Sequence, residues 1–371
     1  MRVFLCTDML KKSWLRAERI GMERLPRMSR RVFTGGSLLT AATLGLPALY
    51  AQTQPETRKV TISVDSKNTF YCLPLTISEQ LGYFKSEGLE VGISDFESAA
   101  LALQAVARGS ADICSAGFEH TLHLQSMQQM YQSFVLQGRA PQVAFGVSPQ
   151  NLPGYQSITD LKGKKIGVPA LGSSSAMMAS MVLSQGGLKA GDASFVGVGK
   201  AADGALAALR SGQVDAMSNT DPLMTMLEQK GEVRIISDTR TLKGTMEVFG
   251  GPMPAACLFA PLDFVRKNPN TCQALANAMV RGLKWLQTAG PGDIIKTVPE
   301  SYLLGDRGLY IASFNKVRES ISLDGILADE APRTALKALA SFDASIKTGS
   351  IDLGKTYTNV FAQRAKERFK A

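Results

Sequence analysis

Leu101-Ala102-Leu103-Gln104-Ala105-Val106-Ala107-Arg108-Gly109-Ser110-Ala111-Asp112-Ile113 returns later in the chain as Ala205-Leu206-Ala207-Ala208-Leu209-Arg210-Ser211-Gly212-Gln213-Val214-Asp215-Ala216. Each copy is an Ala/Leu-rich helical stretch, then an arginine, a glycine stop, a two-residue link and a strand that opens on Asp. Glycine supplies the left-handed cap through which a helix turns tightly into a strand. The two aspartates stand 103 positions apart, the length of one small α/β lobe.

The order of elements around the copies also agrees. Ahead of the first come a strand at Lys59 to Asp65, a helix at Leu75 to Gly82, a strand at Leu89 to Ile93 and the copy's own helix at Ala99 to Ala107. A strand at Ala111 to Ser115 follows. Around the second lie a polar turn at 160–165, a strand at Ile166 to Val168, a helix at Ala176 to Gln185 and a strand at Ser194 to Val198. Glu232 to Ser237 reads as a further strand and Pro252 to Ala260 as extended chain. Thr271 to Gln287 has the period of an amphipathic helix. Alternating strands and helices predict an α/β architecture of two similar lobes, each a mixed sheet flanked by helices. The division expected is 52–145 for the first part of lobe 1, 146–252 for lobe 2, and 253–371 for the chain's return to lobe 1. Hinges are expected near 140–155 and 245–255.

Length and composition fit that plan. The chain has 371 residues, 45% hydrophobic and 20% charged, enough for two cores. Its formal charge of +9 is concentrated at one end, because residues 1–51 carry nine Lys/Arg against three Asp/Glu. The other 320 residues hold 32 Lys/Arg and 29 Asp/Glu, a net of +3, with no basic stripe interleaved with aromatics. Nucleic acid is therefore not an expected partner. Ser29-Arg30-Arg31-Val32-Phe33-Thr34, followed by a mildly apolar run from Gly35 to Leu49, has the layout of a twin-arginine export signal. Thr34 departs from the motif's usual apolar residue. Cleavage is expected near Ala51, with Met22 or Met28 as alternative starts. Cys72, Cys114, Cys257 and Cys272 are widely spaced with no CxxC pair, so buried thiols are expected rather than zinc. His120 and His123 are the only histidines and no third ligand is evident, so no metal is expected.

Leu73-Pro74-Leu75, Gly82-Tyr83-Phe84-Lys85-Ser86-Glu87-Gly88-Leu89-Glu90-Val91, Gly109 to Ile113, Asp160 to Val168 and Ser211 to Ala216 occur in that order. In this the mature chain resembles the periplasmic binding proteins for nitrate, aliphatic sulfonates, taurine and thiamine-precursor pyrimidines. The resemblance implies the two-lobe periplasmic binding protein fold of type II, with a solute trapped in the cleft between lobes. It further implies a monomeric, exported component of an ABC importer that partners a membrane permease. No cofactor and no catalysis are implied. A biosynthetic protein for the thiamine pyrimidine shares the fold and is the alternative. That chemistry depends on a cysteine-rich iron site, which this sequence lacks.

Ligands of such α/β folds lie beyond the carboxyl ends of strands, where loops feed helix N-termini. Three loops meet that description. Ser173, Ser174 and Ser175 open a helix, each either capping it or donating to a solute. Gly117-Phe118-Glu119 follows a strand: Phe118 is either core or a wall for the solute, and Glu119 either a first-turn helix charge or an acceptor for an ammonium. Asn219-Thr220-Asp221 precedes Pro222, and Asp221 is either a cap or a partner for a cation. Phe70-Tyr71-Cys72, after the first strand, adds a candidate aromatic wall. Two acids beside a serine-lined helix end suit a zwitterion or an amine-bearing ring better than a plain inorganic anion.

Overall fold

The computed structural model describes residues 54–189, 191–199 and 201–371, and the export signal expected within 1–51 lies outside them. Among the described residues there are ten strands: β1 Lys59–Asp65, β2 Glu90–Phe96, β3 Ile113–Gly117, β4 Tyr131–Leu136, β5 Val143–Val147, β6 Lys165–Val168, β7 Ser194–Gly197, β8 Ala216–Thr220, β9 Arg234–Asp238 and β10 Ala256–Pro261. They form two five-stranded sheets, ordered β2-β1-β3-β10-β4 and β7-β6-β8-β5-β9.

The two orders are one topology used twice. In the first sheet β1 lies parallel to β2 and β3, while β10 runs antiparallel to β3 and β4. In the second, β6 lies parallel to β7 and β8, while β5 runs antiparallel to β8 and β9. The repeated aspartates play the same part in both. Asp112 donates its backbone N–H to Thr61 and accepts the Thr61 N–H on its carboxylate at 2.8 Å. Asp215 does the same with Lys165, also at 2.8 Å. Each thus ties the opening of its sheet's central strand, β3 or β8, to the neighbouring parallel strand, β1 or β6. Gly109 and Gly212 stand at φ +73° and +71°, the left-handed conformation the helix stop requires.

Most elements lie within two residues of the sequence expectation. The helix Ala99–Ala107 has the predicted bounds, and the helix Ser174–Gln185 starts two residues earlier because Ser173 caps it, its Oγ accepting the Ala176 N–H at 3.3 Å. Phe70–Cys72 is a turn of 3₁₀ helix that runs into the helix Leu73–Gln80.

The chain changes sheet twice, at 137–142 and at 239–255, so β5 belongs wholly to the second sheet. The two crossings brace each other: the Gln142 N–H donates to the Thr239 carbonyl at 3.1 Å and the Ala255 N–H to Gly138 at 2.8 Å. After β10 the chain is mainly helical. The helix Pro269–Thr288 packs on Leu73–Gln80, and the helix Ala331–Phe342 packs on both Glu119–Ser126 and Ser174–Gln185. No helix among the described residues is long and apolar enough to cross a membrane.

Candidate functional site

Between the sheets lies a cleft of about 560 Å³. One wall comes from the carboxyl ends of β1 and β2 and the helices Ala99–Ala107 and Glu119–Ser126. The other comes from the loop and first turn ahead of Ser174–Gln185, and the end of Ala331–Phe342 closes the side. Strand ends and helix starts thus contribute to both main walls, together with the later turns of the helices Ala99–Ala107 and Glu119–Ser126.

Glu119 and Ser174 meet across this cleft. Glu119 is 5% exposed, and its Oε1 accepts a hydrogen bond from Ser174 Oγ on the opposing lobe. The carboxylate folds back over Gly117, where a Cβ would collide with both of its oxygens. Through Ser174 the same carboxylate is bonded to the N-terminal end of the helix Ser174–Gln185, the end that favours negative charge. Tyr71 stands beside this pair: burial first, and then the Glu119 charge, push its phenol well above its ordinary value, while a hydrogen bond with Ser174 pulls the other way.

Of the residues singled out in the sequence, Glu119, Ser173 and Ser174 line the cleft. Tyr71 and Gly117 stand against the Glu119–Ser174 pair, and the others are placed elsewhere. Phe70 is 1% exposed and stacks on Tyr310 at 4.7 Å between ring centres, within a core shared with Phe314. Cys72 is buried in the core beneath the first sheet. Phe118 is buried with its ring edge-on to Tyr357 at 6.5 Å. Ser175 is buried, and its carbonyl accepts from Ser218 Oγ at 2.8 Å. Asn219 accepts the Thr220 N–H at 2.8 Å, and its Nδ2 is buried without a partner among the described residues.

Asp221 has both oxygens engaged inside lobe 2. Oδ1 accepts the Thr225 N–H at 2.7 Å, and Oδ2 accepts from Arg240 Nη1 at 3.2 Å. Arg240 also binds Asp238 at 2.6 Å. Burial works against the Arg240 charge, yet the bonds to Asp238 and Asp221 outweigh it and hold its pKa above the ordinary value. This carboxylate is occupied by a structural ion pair.

The remaining wall was not anticipated. Asp65 and Glu97 stand at or just beyond the ends of β1 and β2, positions that strand-end reasoning reaches once both strands are placed. Leu339, Phe342 and Asp343 come from the helix Ala331–Phe342 and its C-cap, more than 200 positions after Glu119, with no local signal. His123 Nδ1 lies 3.9 Å from Asp343 Oδ2, and the Ser345 hydrogen bonds, chiefly, hold Asp343 below the usual carboxylate range. No group of three or more His, Cys, Asp or Glu among the described residues is arranged to hold a metal.

The fold is shared with known proteins. A protein of Bordetella bronchiseptica RB50 is 54% identical over 86% of this chain and all of its own, with a TM-score of 0.82. The alkanesulfonate-binding protein SsuA of Xanthomonas axonopodis pv. citri, bound to MOPS, superposes with a TM-score of 0.63 at 17% identity, covering 82% of this chain and 99% of that one. The periplasmic nitrate-binding protein NrtA of Synechocystis PCC 6803 gives 0.66 at 12%, covering 85% and 90%. The desulfurization enzyme DSZB has the same fold, at 0.59 and 17% over 84% of this chain and all of that one. No curated protein matches the chain. The family model described as NMT1/THI5 like matches residues 69–289, well over half the chain. With its paired five-stranded sheets and its 54% identical relative, the chain belongs to the NMT1/THI5-like family.

Proposed function

We propose that the chain is the solute-capturing component of an ABC-type importer, a non-enzymatic binding protein exported by the segment 1–51 and delivering its solute to a membrane permease. The observation that carries this is the interlobe cleft of about 560 Å³, spanned by the hydrogen bond from Ser174 to Glu119. A solute that touches both walls binds the closed arrangement better than the open one and shifts the population towards it. The permease then reads closure rather than the solute. Nitrate, sulfonates, taurine and thiamine-precursor pyrimidines are the small polar solutes to test first. A pyrimidine-biosynthetic enzyme is the second reading, favoured by the family match and by the presence of DSZB on the same fold.

Thermal shift and small-angle scattering with these compounds and with aromatic carboxylates test the reading. A binding protein gives a saturable rise in Tm and a smaller radius of gyration while the compound is recovered intact. Ser174→Ala, which removes one interlobe hydrogen bond, is expected to weaken the solute about 2- to 10-fold. Metal-dependent consumption of a compound overturns the binding reading in favour of the enzyme.

A further inference from the structure

The charged groups on the cleft wall are unevenly distributed. Asp65, Glu97, Glu119 and Asp343 line it with His120 and His123, and neither Lys nor Arg is among the lining residues. Basic side chains instead gather at a second cavity of about 570 Å³, where Arg139, Lys316 and Arg318 lie against the crossings. The feature of the cleft most suited to an anion, the first turn of Ser174–Gln185, already faces the carboxylate of Glu119. A sulfonate or nitrate entering there would compete with that carboxylate on a wall that carries further acids and no Lys or Arg, and a charge taken out of water without an opposite charge beside it is costly. Apolar side chains, among them Leu103, Leu124, Met127, Met177, Leu339 and Phe342, share the rest of the wall with the polar Ser66, Ser98, Gln104 and Gln129.

We propose that the solute carries a positively charged nitrogen, an ammonium or amidinium, on an apolar body, and that Glu119 is the specificity-determining residue that accepts from it. Ser174 holds Oε1, which leaves Oε2 as the acceptor for the solute. Closure then joins the two lobes through one carboxylate, with the serine donating from one side and the solute from the other. The apolar body lies against the side chains of the helices Ala99–Ala107 and Ala331–Phe342. This assignment rests on the solute-binding reading and narrows it.

Matched series of organic cations and anions, such as benzamidine against benzoate and phenethylamine against 3-phenylpropionate, test the charge by thermal shift and calorimetry. The cations are expected to raise Tm and the anions to leave it unchanged. Glu119→Gln, which keeps the shape and removes the charge, is expected to weaken the cations about tenfold or more, with circular dichroism confirming the fold. Asp343→Asn is expected to weaken them less. If only anions bind, the charge assignment is overturned and solute capture stands. If cations bind equally well to Glu119→Gln, the role of Glu119 is overturned. If neither series binds while one of the compounds tested above does, the charge assignment is overturned and solute capture stands; if none of them binds, solute capture by this cleft fails with it.

Discussion

At the scale of single residues, similar side chains divide by what lies within reach. Glu119 and Asp221 are both acids following a strand, and the sequence treats them alike. In the fold Glu119 faces the cleft and the other lobe, whereas Asp221 is fully buried against Arg240 inside its own. Nothing near Asp221 in sequence announces Arg240, which stands 19 residues away and reaches it only when the segment after β9 folds back. Arg240 is 2% exposed, so its replacement by methionine leaves Asp221 as a buried charge without its cation. Arg240→Met is expected to lower unfolding stability by about 3–5 kcal/mol, measured by urea denaturation. Adding Asp221→Asn should recover part of that loss. An equal loss in the double variant would show that an uncompensated Asp221 charge is not what destabilises Arg240→Met.

Among the elements, the contact between the helices Leu73–Gln80 and Pro269–Thr288 depends on the absence of a side chain. A Cβ on Gly282 would fall within 3.1 Å of the Pro74 carbonyl and closer still to Ser78 Oγ. Ser78 Oγ itself donates to Pro74 at 2.8 Å and reaches the Ala278 carbonyl at 3.2 Å, so it is not free to swing aside. Glycine costs about 1 kcal/mol relative to alanine in a helix interior, and an alanine in an open position would be stabilising. Here Gly282→Ala is expected to destabilise by about 1–3 kcal/mol in the same assay, because the two helices must move apart. A gain in stability would show that the approach is looser than the structure has it. The amphipathic period of 271–287 was legible in the sequence, but the partner of its glycine was not.

For the molecule as a whole, four buried free thiols among the described residues link stability to pH. Burial pushes Cys257 and Cys272 up to about 12, and Cys72 and Cys114 are raised as well. An unfolded thiol titrates near 9, so the folded state resists losing these protons. The stabilisation is complete below about pH 9 and is lost as pH rises towards 12, at roughly 1.4 kcal/mol per pH unit for each thiol. Urea midpoints at pH 8 and pH 10.5 are expected to fall steeply for the wild type and less steeply for Cys257→Ala/Cys272→Ala. Equal slopes would show that the thiols are not the groups responsible.

The paired helix–glycine–strand pattern settled the repeat, the α/β class and most element bounds without coordinates, because propensity, glycine geometry and hydrophobic period act over a few residues. It also placed Ser173, Ser174 and Glu119 at the mouths of strands. Tertiary structure alone decided that β5 inserts antiparallel between β8 and β9, and β10 antiparallel between β3 and β4. It also brought Asp343 and Phe342 to the cleft and committed Asp221 to Arg240. Those outcomes follow from contacts between segments tens to hundreds of residues apart, whose energies depend on where two surfaces meet and leave no periodic mark in either segment.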